Sequence, residues 1–169
     1  MKSFSLLSIS FLFAFQLFAQ KCPTGEERIE SMNSSFEQEV LKLTNKVRKK
    51  KGLKSLKWDE TLSYSARYHA KDMGEDDYFE HDSYDRKGKR LVKSCAIFDR
   101  IESFIRYPFL AENISAGRTS PEEVVKAWMK SPGHKKNILD RNMTRLGVGY
   151  YYVEGSEYGH YWVQNFGGE

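Results

Sequence analysis

Four histidines and two cysteines are the side chains of this sequence best suited to chemistry: His69, His81, His134 and His160, with Cys22 and Cys95. Neutral imidazoles joined by a carboxylate make a competent set for Zn²⁺ or a similar divalent ion, and three protein ligands with one open position is the arrangement that activates water. The sequence holds no His-Glu-x-x-His helix to fix such a spacing. It also lacks a Gly-x-Ser-x-Gly elbow, so a serine nucleophile is not signalled. Hydrolysis would therefore need a histidine and a glutamate sharing acid/base work or serving a metal-bound water.

The elements that must position these groups are legible in part. Ser34 and Glu37 have capping-box spacing and open a first helix, with Phe36, Val40, Leu43 and Val47 on one face and Gly52 as its stop. A second helix starts at Asp59 as N-cap, presents Leu62, Ala66, His69, Ala70 and Met73 on one side and ends at Gly74. His69 thus faces the core, where a hydrogen-bonded histidine is the simpler reading than a ligand. Residues 75 to 99 are polar and read as a long loop carrying His81. A helix over Ala96 to Tyr107 is then closed by Pro108, and a short extended piece follows from Leu110 to Gly117.

Ser120 with Pro121 and Glu123 opens another helix, which buries Val124, Val125 and Trp128. Ser131-Pro132 repeats that start and launches a short helix through Leu139, with His134 in its first turn. Arg145 to Val153 and Tyr158 to Phe166 are rich in Tyr and Val and read as a β-hairpin. Trp162 is expected to fill core.

The amino terminus has the pattern of an exported protein. Lys2 precedes an apolar run from Leu6 through Ala19, too short for a bilayer span and closed by a small residue, so residues 1–20 read as a signal peptide cleaved at Ala19 or Gln20. Lys21 stands where a lipidated Cys22 would need a small neighbour. Residues 21–35 form an N-terminal extension and 36–169 one domain, secreted to the extracellular space or periplasm, with no transmembrane segment. In an oxidising compartment Cys22 and Cys95 are expected to pair, two unrelated thiols being the alternative. The formal net charge of +4 is spread along the chain. No concentrated basic face marks a nucleic-acid partner.

Seven segments in order resemble a CAP (SCP) domain, the superfamily of cysteine-rich secretory, antigen 5 and pathogenesis-related proteins. They include Ala66…His69-Ala70…Met73, Phe79-Glu80-His81, Ala111-Glu112-Asn113-Ile114, Trp128…Ser131-Pro132-Gly133-His134 and Tyr161-Trp162-Val163-Gln164-Asn165-Phe166. The Ser-Pro-Gly-His…Asn-Ile-Leu segment is similar to the bacterial branch. The resemblance implies an α/β fold of three layers, an α-β-α sandwich; periodicity alone supports only mixed α/β.

It also implies a central cavity lined by two histidines and two glutamates. His81 and Glu112 match the first of each. Ser131 stands at the position of the second glutamate and Tyr161 at that of the second histidine. His160 is one residue off, on the opposite strand face, and His134 is the better second imidazole.

On this footing His81, Glu112 and His134 are the candidate ligands of a divalent metal such as zinc, with a polar cluster bracing His81's loop as the plainer alternative. The expected function is a secreted binding or scaffold protein with a groove for a lipid, a sterol or a partner's surface. The alternatives are a metal-assisted hydrolase, a peptidase using His81 and Glu112, and an envelope-associated protein whose Lys87, Lys89 and Arg90 meet anionic polymer.

Overall fold

A computed structural model describes residues 22–169; the expected signal peptide lies outside the described residues. Helix α1 spans Ser34–Lys50, β1 Lys57–Trp58, α2 Glu60–Glu75, β2 Ser83–Lys87, β3 Arg90–Cys95 and α3 Ile97–Phe104. They are followed by β4 Phe109–Ala116, α4 Pro121–Lys130, α5 Pro132–Leu139, β5 Arg145–Tyr152 and β6 His160–Gly168. Four strands make one sheet in the order β1-β5-β6-β4, and β2 and β3 form a separate hairpin. The expected final hairpin is present as antiparallel β5 and β6, with Val148 opposite Gln164.

Alternation along the strands divides the core into two layers. Leu146, Val148, Trp162 and Phe166 face α1, α4 and α5, packing with Val40, Trp128 and Ile138. Tyr161, Val163 and Ile114 face α2, packing with Ala66, Ala70 and Met73. This is the α-β-α sandwich. Gly147 and Gly149 let α2 lie directly on β5: a Cβ at either would come within 2.3 Å of α2 backbone atoms.

Beyond β1, the outer edge of β5 needs acceptors for its N–H groups. Ser63 Oγ accepts from Val148 N at 3.3 Å and Glu37 Oε1 from Tyr150 N at 3.3 Å. Glu37 also pairs with Arg67 at 2.7 Å, so a buried ion pair joins α1 to α2 around that edge.

Three local expectations are corrected. The N-cap of α1 is Asn33, whose side chain accepts from Phe36 N, in place of Ser34; Asn outranks most residues at this position because its short carbonyl reaches the first-turn N–H groups. The 75–99 segment is not all loop, since β2 and β3 pair within it. Their alternation is hidden because four of the six β3 residues are exposed and only Ser83 of β2 is buried. Helix α3 ends at Phe104 rather than Tyr107. Cys22 and Cys95 are joined, with Cα atoms 4.8 Å apart, which ties the N-terminal segment to the end of β3.

Candidate functional site

β4 is the strand from which the site is built, because successive residues serve opposite faces of an edge strand. Glu112 points toward α2 and Asn113 toward α5. Asn113 Nδ2 donates to the His134 carbonyl at 3.2 Å and to Gln164 Oε1 at 3.1 Å. Asn137 Nδ2 donates to Asn113 Oδ1 at 2.9 Å and to the Glu112 carbonyl at 3.1 Å. These amides pin the start of α5, and His134 with it, to β4.

On the other face, both Glu112 oxygens are engaged. His81 Nδ1 lies 3.0 Å from Oε1, and Arg100 Nη2 donates to Oε2 at 2.5 Å. Asn165, the cross-strand partner of Glu112, also donates to Oε2 at 3.0 Å when its amide is oriented to satisfy its neighbours. Glu112 and Arg100 side chains are wholly buried, whereas that of His81 is 46% exposed. Burial pushes the Glu112 carboxyl up, but the Arg100 guanidinium and the histidines outweigh it and hold it below the ordinary range. With an ionised acceptor at Oε1, His81 Nδ1 is the donor of this hydrogen bond.

Arg100 also donates from Nη1 to the His81 carbonyl at 2.9 Å and to Ser83 Oγ at 3.2 Å. One side chain thus holds the His81 backbone and the Glu112 carboxylate together. His69 lies beneath this cluster, its Nε2 donating to the Glu80 carbonyl at 3.0 Å and standing 4.0 Å from Glu112 Oε1. Burial, and then the Arg100 charge, pushes His69 down to about 3, so the ring is neutral.

The cleft itself, about 380 Å³, runs along β4 and is lined by His134, Phe79, Tyr158, Ser131 and Ile114. Burial lowers the His134 pKa, and the nearby His81 adds to that shift. The structure therefore brings His81 and Glu112 into contact and sets His134 within electrostatic reach. His160 is separate. It lies on the other face of β6, its Nδ1 3.0 Å from Tyr150 Oη. Tyr161 is buried against α2.

The resemblance implies a divalent metal at these donors. Both Glu112 oxygens already accept hydrogen bonds, and a guanidinium 2.5 Å away repels a second cation. Among the described residues, the group of three whose ligand atoms lie within 4.8 Å of one another is Asp72, Asp76 and Asp85, outside the cleft. The His81–Glu112–His134 set is not such a group among the described residues and, as it stands, does not fit a three-ligand ion.

Arg100 is the site residue that the sequence reading missed. Its signal was present: Ile97, Arg100, Ile101 and Phe104 share one stripe of α3, and an arginine on an apolar stripe needs a carboxylate.

A buried carboxylate on the edge strand of a three-layer α-β-α sandwich, with a histidine loop folded over it, is the arrangement of a CAP-type domain. The chain belongs to this family, since the model of the cysteine-rich secretory protein family matches residues 41–166.

Among its relatives is YkwD of Bacillus subtilis (strain 168), an uncharacterized protein 43% identical over 158 residues, which cover 89% of this chain and 56% of that one. The uncharacterized membrane protein YlbC of the same organism is 32% identical over 126 residues, covering 74% of this chain and 34% of its own length. The chain thus spans about half, or less, of these curated relatives.

A solved extracellular protein containing an SCP domain, from Bacillus anthracis str. Ames, matches with a TM-score of 0.66 at 30% identity, over 80% of this chain and 41% of that one. An outer surface protein of Borrelia burgdorferi shares the fold, with a TM-score of 0.63 at 22% identity over 78% and 91% of the two chains.

Proposed function

We propose that this protein is a secreted binding module that holds its ligand without turning it over. The observation that carries the reading is the commitment of Glu112 to Arg100 and His81. A carboxylate kept ionised by a buried guanidinium is a poor proton acceptor and a poor metal ligand. Among the described residues no serine, threonine or cysteine is hydrogen-bonded to the His81 ring, so His81 has no nucleophile to activate. The cluster acts as a brace that fixes the cleft wall.

Secretion is supported by the N-terminal sequence pattern, by the disulfide, which suits an oxidising compartment, and by the extracellular SCP-domain relative. Among the described residues no helix is long and apolar enough to cross a membrane.

The ligand is an amphiphile with an acyl chain. A groove of about 270 Å³ between α1 and α4 is walled by Leu43, Val47, Val125 and Met129, with Lys46, Lys50, Lys126 and a single acid, Glu122, at its rim. Apolar walls with a net positive rim, three lysines against one glutamate, suit a fatty-acid carboxylate. Calorimetry of delipidated protein with palmitate tests the reading: wild type binds, and Met129→Glu, which places a like charge in the groove, weakens binding at least about tenfold. Equal binding by the variant, or no binding by wild type, overturns it.

A further inference from the structure

A cavity of about 530 Å³ lies away from both the cleft and the α1–α4 groove. One wall runs from the loop after α1, with Lys54, to Lys57 at the start of β1; the other runs from Arg141 in the loop before β5 to Arg145 at its start, with Leu53 and Met143 as an apolar floor. Lys54, Lys57 and Arg141 are exposed, and none has an ion-pair partner within 4.0 Å among the described residues. Arg145 has a loose one, Glu169 Oε1 at 3.7 Å, and that glutamate is 70% exposed at the cavity.

Below the floor lies Arg48, 1% exposed. Its guanidinium donates to the Lys54 carbonyl at 2.9 Å on one loop, and to the Ile138, Asp140 and Met143 carbonyls at 2.8, 2.8 and 3.1 Å at the other. Both cationic walls are thus fixed by one buried side chain. The other buried arginines are neutralised, Arg67 by Glu37 and Arg100 by Glu112. Arg48 has only carbonyl hydrogen-bond acceptors, with the Asp140 carboxylate acting on its charge from nearby, so it is less closely paired than the other two and adds to the field of the rim.

We propose that this cavity is a preformed anion site for a phosphate-bearing organic ligand. Several cations around one concavity call for a multiply charged anion. The guanidinium groups of Arg141 and Arg145 match phosphate oxygens, and the apolar floor suits a carbon backbone between phosphates. Free polyphosphorylated molecules and a phosphodiester polymer share this chemistry.

The test is calorimetric titration of the oxidised protein at low salt with tripolyphosphate and, in parallel, with a glycerol-phosphate hexamer. Wild type binds at least one probe, and binding of only one assigns the source. Lys54→Ala, Lys57→Ala and Arg141→Ala each weaken binding about three- to fivefold, and the triple variant at least about 30-fold. A matched variant, Lys87→Ala with Lys89→Ala and Arg90→Ala, removes the same charge from the β2–β3 hairpin and changes binding less than about twofold. Unchanged thermal midpoints confirm that these surface changes leave the fold intact. Failure of both probes to bind, an unaffected triple variant, or an equal loss in the hairpin variant overturns the site.

Discussion

Arg100 and Glu112 meet through a 2.5 Å contact with both side chains wholly buried. Removing one partner of a buried pair strands the other's charge, at a cost of about 3–5 kcal/mol. Arg100→Met is therefore expected to lower unfolding stability by that amount in urea titrations. Adding Glu112→Gln to it recovers part of the loss, since no buried charge is then left over. A loss below about 1 kcal/mol for Arg100→Met would show that the pair does not brace the site.

Acid acts on the same cluster through His69. The unfolded ring takes a proton near 6.5, whereas burial and then Arg100 delay this to about 3 in the folded state. Between those values the unfolded chain binds more protons. His69's contribution is therefore present above pH 6.5 and is lost as pH falls toward 3. Asp72 opposes it: burial raises its carboxyl from 3.8 to about 6, so its contribution is present below 3.8 and lost as pH rises through 6. In His69→Gln the Asp72 effect stands alone. The stability gap between wild type and this variant should narrow by about 2 kcal/mol from pH 7.5 to pH 5 in urea titrations. An unchanged gap would mean that His69 already titrates normally in the fold.

The disulfide joins residues 73 apart in sequence. Chain entropy assigns a crosslink of that span about 4 kcal/mol. Cys22→Ser with Cys95→Ser is expected to lose that order of stability and to lower the thermal midpoint by roughly 10 °C. A shift under about 2 °C would mean that native contacts, such as the Arg67 guanidinium on the Ile29 carbonyl, already hold the N-terminal segment.

How much of this was legible in sequence depends on whether the signal was local. Asp59, Ser120 and Pro121 announced their helices because capping uses neighbours in the chain, and the Tyr- and Val-rich composition of β5 and β6 on either side of Gly155-Ser156 announced the hairpin. Trp162 is buried as expected, its Nε1 donating to the Arg118 carbonyl. The 160/161 register reasoning put His160 on the far face, where it lies. The β2–β3 hairpin stayed hidden because a mostly exposed pair of strands carries no apolar alternation. β1 stayed hidden because two residues are too few to show a period. Glu112 could be placed by motif, but its state could not. The ion pair with Arg100 joins a helix to a strand, and only their packing makes the carboxylate a brace.

The same pairing decides how the cleft treats a metal. With Glu112 held by Arg100, zinc has the imidazoles of His81 and His134 and water to complete its shell, a weak set compared with three protein ligands. At a metal concentration equal to the dissociation constant, linkage adds about 0.4 kcal/mol, worth one or two degrees in a domain of this size. Wild type in roughly 1 mM Zn²⁺ at pH 7.5 is expected to gain no more than that, and His81→Ala or His134→Ala to lose the gain altogether. If Glu112 instead left Arg100 for the metal, three protein ligands would bind tightly enough to reach a 100-fold excess, and about 2.7 kcal/mol would raise the midpoint by several degrees. Thermal melts of the three proteins with and without zinc separate these outcomes. A large gain that depends on both histidines would replace the brace with a metal centre and reopen the hydrolase reading.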